Sequence, residues 1–237
     1  MSDYVELHAH SYFSLLDGAT SPEALVQKAS EQGMPALALT DHDAVYGAVR
    51  FQAAVRQYGV KPIFGTELTL ADGHHLTLLV ENEVGWRNLC TLITAARHNA
   101  PKGEAVLPID LLEAHTDGLI AFSGCRRGAI PTAVQQGDRS IAIKVARHYQ
   151  RLFGDRFYIE MQHHQLPDDV VALLSLVAPA TPAHKLLDPF AGEGEFLEVA
   201  AKAWNVTPYA NELDGDRAAK CIERFGPTQA CAAMSSG

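Results

Sequence analysis

Leu7-His8-Ala9-His10-Ser11 closes a run, Tyr4 to His8, that reads as a first β-strand. Side chains alternate along a strand with a period of two, so a His-x-His pair turns both imidazoles to one face at the strand's end. Neutral imidazole is the commonest protein ligand for zinc and similar ions. A catalytic ion needs more than two histidines, so the pair directs attention to the ends of later strands.

Downstream, strand and helix patterns alternate as far as about Glu160. Ser21 is a good N-cap, Pro22 suits the first helical position and Gly33 ends the helix. The continuous apolar run Ala36-Leu37-Ala38-Leu39-Thr40 predicts a buried parallel strand, and it ends in Asp41-His42. A helix is expected from Ala44 to Tyr58, then a strand from Lys61 to Glu67. A hairpin around Asp72-Gly73 leads into His75 to Val80. Helical pattern covers Val84 to Arg97 and Pro108 to His115, and a strand from Gly118 to Ser123 runs into Gly124-Cys125. Asp138 caps a helix to Phe153, with Ile141, Val145, Tyr149 and Leu152 on one face, and Phe157 to Glu160 is a further strand.

Ligand-type residues thus recur at strand ends or in adjoining loops: Asp17, His42, Glu67, His75, Cys125 and Glu160. Strand–helix units with such residues at the strand C-termini predict a barrel with its site at that pole. Hydrolysis of a phosphoester calls for ions that acidify water and neutralise charge on phosphate oxygens. A carboxylate bridging imidazoles suits such a cluster, and Glu67 is best placed for it. Cys125 reads equally as a small buried hydrophobe, Glu160 as a strand cap or a partner of Arg156, and Arg126 as a phosphate contact or a solvated cation.

The 237 residues are 47% apolar and 20% charged, ordinary values for a globular protein with a sizeable core. A net charge of −9 argues against a chain that coats nucleic acid, while leaving local phosphate contacts open. The four cysteines form no C-x-x-C pair, which fits reduced thiols. Met1-Ser2-Asp3 leads directly into the first strand without a leader pattern, and no apolar run approaches membrane-spanning length. A cytoplasmic location and no membrane partner are expected.

Residues 4 to about 165 resemble the PHP (polymerase and histidinol phosphatase) domain at the N-terminus of bacterial replicative-type polymerase alpha subunits, and most of all its error-prone branch. The likeness rests on His8-Ala9-His10-Ser11-Tyr12-Phe13-Ser14-Leu15-Leu16-Asp17-Gly18, Ala38-Leu39-Thr40-Asp41-His42-Asp43 and Lys61-Pro62-Ile63-Phe64-Gly65-Thr66-Glu67. It continues through Gly118-Leu119-Ile120-Ala121-Phe122-Ser123-Gly124-Cys125 to Phe157-Tyr158-Ile159-Glu160-Met161-Gln162-His163-His164. The resemblance implies a distorted seven-stranded (β/α)7 barrel and metal ligands His8, His10, Asp17, His42, Glu67, His75 and Cys125, with Glu67 and Asp17 as catalytic carboxylates. It further implies more than one divalent ion, Zn or Mn, and phosphoesterase or exonuclease-type chemistry on DNA ends. In some polymerases the domain has only a structural role, which leaves an interaction module as the alternative. Other polymerase subunits are then possible partners. The family's closing strand, with its Asp-x-His pair, and the polymerase fingers, palm and thumb have no match here. The barrel is therefore expected to be incomplete and the chain unable to polymerise.

From Asp168 to Val177 a helix is expected, and Ala178-Pro179-Ala180-Thr181-Pro182 reads as a linker. This divides the chain into a truncated PHP domain (1–177), a junction (178–183) and a C-terminal segment (184–237). Leu186-Leu187-Asp188-Pro189-Phe190-Ala191-Gly192-Glu193-Gly194 resembles the first motif of S-adenosylmethionine-dependent nucleic-acid methyltransferases, and Glu212 stands at the next strand end. That resemblance implies a Rossmann-like βαβα fragment with Asp188, Gly192, Gly194 and Glu212 facing the cofactor. The match stops before the motif that holds the target amine, so tight binding of S-adenosylmethionine is not expected, and a fusion of two partial domains, natural or artificial, is. The tail from Pro227 reads as frayed. Lys185 to Asp188 falls where the barrel's closing strand is due, so it is also a candidate to pair into that gap, with Asp188 as a substitute ligand.

Overall fold

The computed structural model describes residues 4–98 and 100–160, together with the backbone of 185–188, 207–212 and 230–232. The chain divides into two compact units, Val5–Met161 and a second made of Met1–Tyr4 with Gln162–Gly237.

In the first unit α1 (Pro22–Glu31) begins as its sequence dictates: the Ser21 hydroxyl oxygen accepts the Ala24 N–H and Pro22 occupies the first turn. β1 (Ala36–Leu39) is buried throughout. Leu37 and Leu39 pack with Val26 and Ala29 of α1 and with Phe51, Ala54 and Val55 of α2 (Ala48–Tyr58). Ala38, pointing the other way, packs with Leu79 and Phe122. A strand covered on both faces has to be apolar at every position, which accounts for the uninterrupted run.

There follow β2 (Lys61–Thr69), β3 (His75–Val80), α3 (Glu83–His98), α4 (Ile109–Glu113), β4 (Leu119–Phe122), α5 (Ala129–Gln135), α6 (Arg139–Phe153) and β5 (Phe157–Tyr158). They complete a mixed α/β fold with a five-stranded sheet in the order β1-β2-β3-β4-β5. β1 and β2 are parallel, as are β4 and β5, whereas β3 runs antiparallel to both its neighbours. The succession of parallel strand–helix units is interrupted at β3, as the hairpin expected around Asp72-Gly73 requires. The cause is local: Gly73, at φ +84°, closes the tight turn after Asp72, and a chain that returns at once can only pair antiparallel.

The first segment also differs from expectation. In place of a strand over Tyr4 to His8 it makes one bridge, Glu6 to Leu37, with Glu6 and Ala9 carbonyls accepting the N–H groups of Ala38 and Thr40. The His8 N–H is drawn away from a ladder by the Glu6 side chain, at 3.1 Å. At the opposite margin Glu160, just past β5, reaches back to His8, with Oε1 2.5 Å from Nδ1. The sheet therefore curls until its first and last segments meet.

α2 starts at Ala48 rather than Ala44, because Asp43 takes a left-handed conformation (φ +49°) and the Ala44 N–H is bound by the Thr66 hydroxyl. On α6 the buried residues are Ala142, Tyr149 and Phe153, spaced i, i+7, i+11 on one helical face, and Ile141 is exposed. α5 follows the Cys125 loop at a position where the sequence carries no helix signal of its own.

In the second unit β6 (Lys185–Asp188) pairs parallel with β7 (Thr207–Glu212), and β7 pairs parallel with β8 (Ala230–Ala232). Lys185–Asp188 is thus hydrogen-bonded into this three-stranded sheet and not into the five-stranded one. Part of the tail expected to fray forms β8. The helix and linker expected over 168–182 lie outside the described residues, as do Gly192 and Gly194. No described helix is long and apolar enough to cross a membrane.

The ring of Phe51 is fully buried and meets Phe64 edge-on at 5.7 Å. Phe51→Ala is expected to cost about 3–5 kcal/mol, read as a lower urea midpoint. A loss below about 1 kcal/mol would contradict this packing.

Candidate metal centre

Glu67, near the end of β2, is fully buried, and five ligand-type side chains surround it. Backbone pairing puts them there. His42 bridges to Glu67 just past the β1–β2 ladder, with the Asp43 N–H donating to the Glu67 carbonyl at 2.9 Å. His75 opens β3 opposite Thr69, and it bridges in turn to Gly128, three residues after Cys125. Gly124 makes that approach possible: at φ +83° it sits where a Cβ would come 2.5 Å from the His75 carbonyl oxygen. His8 and His10 arrive from the segment beside β1.

Two groups result, and Glu67 belongs to both: His8, His10 and Glu67; and His42, Glu67 and His75. In each, the nearest ligand atoms lie within 4.8 Å of one another. His8 Nε2 is 3.0 Å from His10 Nε2, and each of these atoms is 3.1 Å from Glu67 Oε2. On the other side His75 Nδ1 is 3.0 Å from Glu67 Oε1, and His42 Nδ1 is 3.6 Å from Oε2. Lone-pair atoms facing one another at such distances repel unless a proton or a cation lies among them. Imidazole and carboxylate donors of this kind fit Zn or Mn.

The electrostatics agree. Burial by itself would raise the Glu67 pKa, but hydrogen bonds from His10, His75 and His8 hold it well below the usual carboxylate range. Burial opposes a charged His8, yet Glu160 and Glu67 outweigh it and push the imidazole up to about 10. The centre thus draws positive charge to the position between its carboxylates. His42 is lowered by burial against the pull of Glu67, which favours the neutral, ligating form.

The remaining sequence-derived candidates sit around this core. Asp17, partly exposed, places Oδ2 3.0 Å from His42 Nε2. The Cys125 thiol donates to Glu67 Oε1 at 2.9 Å, and burial followed by the Glu67 charge pushes it up to about 12. Glu160 contacts His8 at Nδ1, on the side of the ring away from Glu67, so it orients that imidazole and leaves Nε2 toward the cluster. Arg126 is exposed directly after Cys125. Asp188 and Glu212 lie on described strands whose side chains are not described. Two contributors were not foreseen: Thr77, paired with Glu67 in register and 3.4 Å from His8, and the buried Asp41. A threonine inside a strand carries no local signal of such a role.

Comparison with known proteins places the chain in a family. The error-prone DNA polymerase of Symbiobacterium thermophilum is 45% identical over 182 residues, 70% of this chain and 17% of that protein. The DNA polymerase III subunit alpha of Treponema pallidum is 39% identical over 181 residues, 70% of this chain and 16% of that protein. The chain therefore spans about a sixth of the length of these relatives. A solved putative metal-dependent phosphoesterase from Bifidobacterium adolescentis aligns with 93% of this chain and 96% of its own at 14% identity, with a TM-score of 0.34, too low to support a shared activity. The PHP domain family profile matches residues 6–164, and the chain belongs to the PHP domain family.

Proposed function

We propose that Val5–Met161 is a metal-dependent phosphoesterase domain of the error-prone polymerase alpha type, acting on phosphate esters of DNA. The observation that carries this reading is one buried carboxylate, Glu67, shared by two histidine groups. His8, His10, Glu67, His42 and His75 would hold the ions, with Cys125 and Asp17 as outer candidates. Bound divalent ions supply acidification of water and neutralisation of charge on phosphate oxygens. The protein's own groups divide the remaining work. Glu67 fixes the spacing between the two groups and Glu160 holds His8 at Nδ1. Asp17, the most exposed carboxylate of the constellation, faces solvent and holds His42 at Nε2 through its Oδ2. Arg126 offers an anion contact at the rim. The names of the relatives support a nucleic-acid substrate or polymerase partners. We further take the curled sheet as part of a distorted PHP barrel. We also read 184–237 as a partial methyltransferase-like unit on its motif from Leu186 to Gly194; the parallel pairing of β6 and β7 is common to any βαβ unit.

Metal analysis by plasma mass spectrometry, with p-nitrophenyl phosphate and single-stranded DNA as substrates, tests this function. Glu67→Gln is expected to lower metal content and to reduce turnover at least about 100-fold, because it removes the ligand common to both groups. Chelation should abolish turnover and Mn or Zn should restore it. Bound metal without turnover would favour a structural PHP module, and turnover that survives metal removal would contradict the proposal. Calorimetric titration with S-adenosylmethionine should show no binding tighter than millimolar; a micromolar isotherm would instead make the C-terminal unit a working cofactor site.

A further inference from the structure

We propose that Asp41 and Asp43 are positioning residues for the metal centre, two buried carboxylates on either side of His42 that each clamp a different ligand-bearing segment. Asp41 is 1% exposed. Its Oδ1 accepts the Ser11 N–H at 2.7 Å and the Ser14 hydroxyl at 2.7 Å, and its Oδ2 accepts the Ser11 hydroxyl at 2.8 Å. Ser11 directly follows His10, and the Ser14 oxygen accepts the His42 N–H at 3.1 Å. One carboxylate therefore ties the loop between His10 and Asp17 to the backbone of His42. Both its oxygens are committed to these donors, so Asp41 acts on the ligands and not on an ion.

Asp43 serves the other segment. Its Oδ1 accepts the Thr69 N–H at 2.7 Å and its Oδ2 the Thr69 hydroxyl at 2.8 Å, while its own N–H donates to the Glu67 carbonyl. Its carbonyl accepts from Arg97 Nε at 3.1 Å. A left-handed φ of +49° is strained for a non-glycine residue, and aspartate tolerates it when local hydrogen bonds hold it, as here. The strained residue lies between His42 and the β2 end that carries Glu67. A clamp on Thr69 fixes the rotation of that end and with it the direction of the Glu67 carboxylate. Ligands must be held to within about 0.5 Å to keep a metal geometry, and groups that orient ligands typically govern affinity by 10–100-fold.

This inference rests on the metal reading of His8, His10, His42, Glu67 and His75, and its test does not depend on turnover. The full chain is titrated with cobalt(II), whose visible d–d band reports both affinity and coordination. Asp41→Ala is expected to weaken cobalt binding about 10–100-fold and to change the band, with Asp43→Ala behaving alike. Asp41→Asn keeps an acceptor oxygen for the Ser11 N–H and the Ser14 hydroxyl and should recover most of the affinity. Phe153→Ala, a buried change on α6, should lower the melting temperature without moving cobalt affinity. Should Asp41→Ala fail to fold, Ser14→Ala removes one arm of the clamp, with several-fold weaker binding expected. Wild-type affinity in that variant or in Asp41→Ala would overturn the clamp, as would an equal affinity loss in Phe153→Ala. A wild-type chain that binds no cobalt would overturn the metal centre and the clamp together, whereas cobalt binding without phosphoesterase turnover would leave the clamp standing.

Discussion

The arrangement of the first unit depends on one buried charge, the Glu67 carboxylate. An isolated ionised carboxylate in an apolar interior is unstable by many kcal/mol and normally takes up a proton. Here it stays ionised because imidazoles from three separate stretches of chain face it: His8 and His10, His42, and His75. Four rings packed in succession, with centroids 5.0, 4.4 and 5.2 Å apart, form a wall around a single acid. Such a cluster adds little to stability in comparison with an apolar core of the same volume. Its composition makes sense as a cation site, where an ion supplies the positive charge that His8 otherwise takes up as a proton.

The topology serves that charge. A parallel pair, β1 and β2, brings the chain ends that carry His42 and Glu67 to the same edge. The antiparallel return through Asp72-Gly73 then delivers His75 to that edge without a crossover helix. Single bridges beyond the regular ladders, His42 to Glu67 and His75 to Gly128, carry the pairing into the site itself. The apolar packing lies on both faces of β1, with Leu37 and Leu39 on one and Ala38 on the other, so the strand that precedes His42 has little freedom to shift.

Much of the centre was legible in the sequence because its residues are local signals: a His-x-His pair, an apolar run ending in Asp-His, a strand ending in Glu. The spatial groups at Glu67 unite residues that the sequence had assigned to separate strand ends. Strand direction was less legible. An apolar run such as His75 to Val80 has the same pattern whether its neighbours are parallel or antiparallel, and only the Asp-Gly turn betrays β2–β3. The first strand was overcounted because nothing in Tyr4 to His8 shows that the Glu6 side chain will capture the His8 N–H. Asp41 and Asp43 were hidden for another reason. An aspartate beside a histidine reads as a further ligand or a turn, and only the positions of Ser11, Ser14 and Thr69 reveal that its oxygens face backbone and hydroxyl donors. Glu160 stood among possible ligands, and its contact with the far nitrogen of His8 gives it an orienting place instead.

Glu67 is proposed to join two cation sites. Anomalous diffraction from crystals of the full chain grown with manganese or zinc addresses it most directly. Two anomalous peaks are expected, one among His8, His10 and Glu67 and one among His42, Glu67 and His75, with the Glu67 carboxylate touching both. Crystals in which these side chains keep the same arrangement while neither group shows a peak would contradict the proposal.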